Sequence, residues 1–131
     1  MMSPEMIKTK PRILLVDDNP IILEIEKSVL KVEDYEIETA SDGTEAIEKV
    51  RSFKPDLILL DIMMPMMDGY QVARLLKEDE ECHSIPIVMV TAKRRPEDMN
   101  EGYLEGAAGY ITKPFKSEEL LKVVRILLSN A

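Results

Sequence analysis

The sequence has a single cysteine, Cys82, so no internal disulfide is available. It has no apolar run near the roughly 20 residues needed to span a bilayer. Met1 to Pro11 lacks the apolar centre of a signal peptide. These absences imply a cytoplasmic protein in a reducing compartment, with no membrane partner. Basic runs go no further than Lys93-Arg94-Arg95, and the formal net charge is -8. That balance argues against direct nucleic-acid binding. No glycine-rich phosphate loop follows the first apolar run, where Asp17-Asp18-Asn19-Pro20 stands instead. Internal repeats and low-complexity segments are also missing. What is present is 131 residues, 45% of them hydrophobic, enough for the core of one domain.

Residues 1–11 show no period and read as a flexible lead-in to a domain over residues 12–131. Arg12 to Val16 is a short apolar strand. Asn19-Pro20 opens a helix, since Asn caps well and Pro suits the first turn. Ile22, Ile25, Val29 and Val32 have helical spacing, and Ile21, Leu23 and Leu30 widen the stripe. Tyr35 to Ala40 alternates as a half-buried strand. After the Asp42-Gly43 turn, Thr44 to Phe53 is helical through Ala46, Ile47 and Val50. Asp56 to Leu60 is a strand apolar on both faces. Tyr70 to Glu80 is a helix buried through Val72, Ala73, Leu75 and Leu76. Pro86 to Thr91 is a strand, and Pro96 to Glu105 a polar helix of low stability. Ala107 to Thr112 is the last strand, and Ser117-Glu118-Glu119 caps the last helix. Strand and helix alternate five times, which implies an α/β fold: a doubly wound five-stranded parallel sheet.

In such a fold, ligands bind beyond the carboxyl ends of the strands. Those ends carry Asp17-Asp18, Asp61, Thr91 and Lys113. Leu57 to Leu60 run straight into Asp61, and a carboxylate there needs a cleft, a metal or a partner. Three clustered carboxylates repel one another and call for a cation or for protonation. Their oxygen chemistry suits Mg²⁺. Lys113 offers a point charge for an anion, and Thr91 offers a hydroxyl donor. Together these groups describe a site for phosphoryl transfer to Asp61.

At these residues the sequence resembles the receiver domains of two-component response regulators, the stand-alone chemotaxis regulators among them. Asp17-Asp18, Asp61, Thr91 and Lys113-Pro114 fit the family pattern in order and spacing. So do the segments Asp61 to Gly69 and Gly106 to Phe115. The resemblance implies the flavodoxin-like (βα)5 fold with strand order 2-1-3-4-5. It implies phosphorylation of Asp61 by a histidine kinase or a histidine phosphotransfer protein. Asp18, Asp61 and the backbone carbonyl of Met63 would bind Mg²⁺, with Asp17 acting mainly through water. Lys113 would pair with the phosphoryl group, and Lys113-Pro114 would be a cis peptide bond. Thr91 and Tyr110 would form the switch: Thr91 moves toward the phosphoryl group, and Tyr110 turns in from an exposed rotamer. The face of helix four, strand five and helix five would then control an output protein or effector domain. A phosphorylation-dependent homodimer through that face is left open, as is the choice between a stand-alone regulator and an excised receiver.

The expected activity is signalling, not turnover: the domain catalyses its own phosphorylation and its slow dephosphorylation. Neither Met63 nor Lys93, the variable positions beside the site, offers an acid or carboxamide to position attacking water. The alternative is a Mg²⁺-dependent hydrolase with an aspartyl-phosphate intermediate. Haloacid-dehalogenase-like phosphatases want a second Asp two residues after the nucleophile, where Met63 stands. The remaining conspicuous residues read as structural. His83 and Cys82 lack partners for catalysis or metal binding, Asp42 and Asp68 make turns, and Met63, Met64, Met66 and Met67 fill gaps around their loop.

Overall fold

Strands and helices alternate through the computed structural model, which describes residues 10–129. The order is β1 (Arg12–Val16), α1 (Pro20–Leu30), β2 (Glu36–Ala40), α2 (Gly43–Phe53), β3 (Leu57–Leu60), α3 (Gly69–Glu78), β4 (Ile87–Thr91), α4 (Pro96–Leu104), β5 (Gly109–Thr112) and α5 (Ser117–Ser129). All pairings are parallel, in the order β2-β1-β3-β4-β5. Most of the lead-in lies outside the described residues. Among the described residues, no helix is long and apolar enough to cross a membrane.

The central strands are apolar throughout because both their faces are covered. Leu14, Val16, Ile58, Leu60 and Met89 point to one face and pack with Ala46, Val50, Val72 and Leu76 of α2 and α3. Ile13, Leu15, Leu57, Leu59 and Val90 point to the other and pack with Leu23, Leu30, Leu120 and Val124 of α1 and α5. Full burial of each such side chain contributes about 1.5–3 kcal/mol. That rigid sheet fixes the positions at which its carboxyl ends present polar groups.

Several boundaries and faces differ from the sequence expectation. β2 begins one residue later, at Glu36, and α3 ends at Glu78. Ser117 is the first residue of α5 itself, and the Lys116 carbonyl accepts from the Glu119 and Leu120 amides. On α1 the buried face is Leu23, Glu26 and Leu30, while Ile25 is exposed and Val32 lies exposed beyond the helix. On α3, Leu75 faces solvent. Met63 and Met66 are exposed and fill no gap; Met64 is buried and Met67 packs beside it. Helix α4 buries only Asp98 and Gly102, in keeping with its polar sequence.

Candidate functional site

The site begins with the backbone. The Asp17 amide donates to the Ala40 carbonyl at 3.1 Å, and the Asp61 amide donates to the Val16 carbonyl at 2.9 Å. These bonds extend the ladders of β1 and β3 by one residue and set the two carboxylates side by side. Beyond Asp17 the chain turns off the sheet. Asp17 Oδ1 accepts from the Asn19 amide at 2.9 Å, and Asn19 caps α1 through the Ile21 and Ile22 amides. The second Asp17 oxygen is left facing Lys113. At the other edge, the Lys113 amide donates to the Thr91 carbonyl at 2.8 Å, which carries Lys113 to the middle of the cleft. The Lys113-Pro114 bond is cis.

Lys113 bridges the two acids: its Nζ lies 2.5 Å from Asp17 Oδ2 and 3.4 Å from Asp61 Oδ2. Asp17 is 1% exposed, Asp61 6% and Thr91 0%, so both carboxylates and the hydroxyl-bearing residue are buried at the strand ends. Asp18 is exposed at the rim. Ligand oxygens of Asp17, Asp18 and Asp61 all lie within 4.8 Å of one another. Met63 is exposed beside them, and its amide donates to Asp61 Oδ1 at 3.2 Å.

Burial raises the Asp61 pKa and the nearby Asp17 charge raises it further. Lys113, the Met63 amide and the Thr91 hydroxyl oppose that rise without cancelling it. Burial lowers the Lys113 pKa, but Asp17, Asp61 and Glu26 more than offset it and leave the ammonium favoured. The negative charge at Asp61 is thus undercompensated. An all-oxygen donor set with excess negative charge fits a hard divalent cation.

The chain matches the model of the response regulator receiver domain over residues 13–125. It belongs to the receiver family of response regulators. The DNA-binding dual master transcriptional regulator RpaA of Synechocystis is 41% identical over 118 residues, which are 90% of this receiver and 49% of RpaA. The chain therefore spans about half the length of the curated relatives it matches. The chemotaxis response regulator CheY4 of Vibrio cholerae superposes with a TM-score of 0.85 at 35% identity, over 91% of this chain and 99% of that one. The receiver domain of the Pseudomonas aeruginosa sensor histidine kinase PA1611 superposes with a TM-score of 0.84 at 29% identity, over 92% and 99% of the two chains. That structure holds a magnesium ion coordinated in its active site cleft.

Tyr110 departs from the expected exposed rotamer: it is already half-buried and turned inward, with its hydroxyl donating to the Lys93 carbonyl at 2.8 Å. Asp42 and Asp68 lie outside the cleft's charge cluster as helix caps of α2 and α3. Two groups escaped sequence reasoning. Arg94 Nη2 donates to the Lys113 carbonyl at 2.7 Å across the lip of the cleft. Glu26, 2% exposed on α1, is buried close enough to feel the charges of Asp17, Lys113 and Asp61. Its spacing from Leu23 and Leu30, three and four residues, was the available signal.

Proposed function

We propose that this receiver accepts a phosphoryl group on Asp61 from a phosphohistidine donor, a histidine kinase or a histidine phosphotransfer protein, in the cytoplasm. The observation that carries the reading is Lys113 shared between Asp17 and Asp61, with Asp18 and Thr91 alongside. In the transfer, an Asp61 oxygen forms the new O–P bond as the donor's N–P bond breaks, and the imidazole leaves. Lys113 stands beside the accepting carboxylate and balances charge on the incoming group. Thr91, buried at the end of β4, supplies a hydroxyl donor to a phosphoryl oxygen.

Asp18, Asp61 and the Met63 carbonyl are the groups that would hold Mg²⁺, with Asp17 engaged by Lys113 and acting through water. When bound, the ion supplies positive charge against the carboxylates and the transferred group. The magnesium in the PA1611 receiver cleft supports this assignment. The exposed Met63 and the aliphatic stem of Lys93 leave no acid or amide to position water, so the phosphoryl group is lost slowly. The domain spans residues 12–131. It signals through the face of α4, β5 and α5 to an output protein or effector domain, by way of Thr91 and Tyr110.

The test is incubation with Mg²⁺ and a small acyl phosphate, followed by intact mass. Wild type gains one phosphoryl group, and Asp61→Asn or added chelator prevents the gain. Equal labelling of Asp61→Asn would remove Asp61 from the role. Continuous release of phosphate from unrelated esters would point to a hydrolase instead.

A further inference from the structure

The inward Tyr110 is not held by β5 alone. Its ring lies against α4 at Gly102, where an added Cβ would stand 3.2 Å from two of the ring carbons. Its hydroxyl is fixed on the Lys93 carbonyl at 2.8 Å. Tyr70, on the first turn of α3, meets the same small region, with its hydroxyl beside that of Tyr110. The Tyr70 hydroxyl donates to the Asp98 carbonyl of α4 at 3.0 Å. The Lys93 ammonium lies 5.8 Å from the centre of the Tyr70 ring and 3.9 Å from Asp98 Oδ1. Asp98 is itself the anchor of the α4 N-terminus: it accepts from the Arg95 amide at 3.2 Å and is 6% exposed.

Lys93 and Asp98 therefore each face two ways. Lys93 gives its carbonyl to Tyr110 and its ammonium to Tyr70 and Asp98. Asp98 gives its carbonyl to Tyr70 and its carboxylate to Arg95 and Lys93. Helix α4 has little packing of its own, burying only Asp98 and Gly102. An element so weakly packed takes its position from such polar ties. Helix α3, by contrast, is anchored in the core through Val72, Ala73 and Leu76.

We propose that Tyr70 is a positioning residue of the switch, tying the first turn of α4 to α3 and so holding the seat into which Tyr110 turns. This rests on the Thr91–Tyr110 switch proposed above. Tyr70 touches none of the reacting atoms; it sets how far the switch already leans inward, and hence how large a shift phosphorylation brings to the α4–β5 face.

The test follows Tyr110 by fluorine NMR in the full chain labelled with 3-fluorotyrosine, with the Tyr110 signal assigned through Tyr110→Phe. Spectra are taken with and without Mg²⁺ plus acetyl phosphate. Tyr70→Phe keeps the ring and removes the hydroxyl. It lowers the inward-to-outward ratio of Tyr110 roughly fivefold in both states, the ordinary worth of one hydrogen bond. Lys93→Met keeps the carbonyl that Tyr110 uses and removes the ammonium from Tyr70 and Asp98, and it shifts the ratio in the same direction. It does so independently of whether Tyr70→Phe folds. A ratio unchanged in both variants, while wild type responds to phosphorylation, overturns the role of Tyr70 and leaves the switch standing. A Tyr110 signal in wild type indifferent to phosphorylation, yet moved by the variants, supports the tie and defeats the switch.

Discussion

Gly69→Ala is expected to destabilise the receiver by about 3 kcal/mol or more, at the upper end of what overpacking costs. A Cβ built at Gly69 would lie 2.4 Å from the Asp61 carbonyl oxygen and 2.7 Å from Ile62 Cα. Both neighbours are backbone, so no side chain can swing aside to make room. The close approach has a purpose: the Gly69 amide donates to the Ile62 carbonyl at 2.9 Å and closes the loop that leaves Asp61. Asp68, the residue before, caps α3 in a reciprocal pair with Gln71. An added methyl must push α3 away from the strand end or drag Asp61 out of line with Lys113. Urea unfolding of the two proteins measures the loss, and Mg²⁺ affinity measures the displacement of Asp61. A loss below about 1 kcal/mol with unchanged Mg²⁺ affinity would show that the loop yields freely.

Glu26 is expected to make the protein less stable as pH rises from about 5 to 8. Burial pushes its carboxyl from an ordinary 4.5 up to about 8, with Asp17 adding to the rise, Lys113 opposing it and Asp61 adding a smaller push. Its Oε1 is buried without a hydrogen-bond partner. In this window the native state keeps the Glu26 proton while the unfolded chain releases it. The stability that depends on the bound proton is full below about 4.5, is lost progressively as pH rises, and is gone above about 8. The total is on the order of several kcal/mol. Glu26→Gln removes the titration and flattens the slope. Glu26→Leu does so too and also removes the orphan oxygen, so it is the most stable of the three above pH 7. Urea midpoints at several pH values check this, read as wild type minus variant so that other titrating groups cancel. Parallel curves for wild type and Glu26→Gln would contradict it.

Glu26 also shows where sequence reasoning met its limit. Helix α1 carries two overlapping apolar stripes, and Ile22, Ile25, Val29 and Val32 looked the more complete. The chain instead buries Leu23, Glu26 and Leu30, because the N-cap at Asn19 and the position of β1 set the helix's rotation. A glutamate in the inner stripe disguised it. The same competition misplaced Leu75, which sits beside the buried Leu76 but faces solvent.

The strands and the strand-end polar residues were legible for a simpler reason. β1, β3 and β4 are covered on both faces, so their apolar runs are continuous and their ends abrupt. Where such a run breaks into Asp17 or Asp61, the break itself marks the cleft. The ties around Tyr110 were not legible, because they join segments distant in sequence: Tyr70 reaches Asp98 across 28 residues and Tyr110 reaches Lys93 across 17. No local period encodes such meetings. Arg94, the middle of a three-residue basic run, carries no sign of a partner in the sequence, yet its guanidinium donates to the carbonyl of Lys113.

The central claim is that one carboxylate, Asp61, carries the phosphoryl group. Borohydride tests it most directly, since it reduces an acyl phosphate to an alcohol and releases phosphate, converting a phosphorylated aspartate to homoserine. The protein is treated with Mg²⁺ and acetyl phosphate, reduced with borohydride, digested, and its peptides sequenced by mass. The account predicts homoserine at position 61, absent when Mg²⁺ or acetyl phosphate is withheld. Homoserine at position 17 or 18, or a phosphorylated protein with aspartate intact at 61, would contradict it.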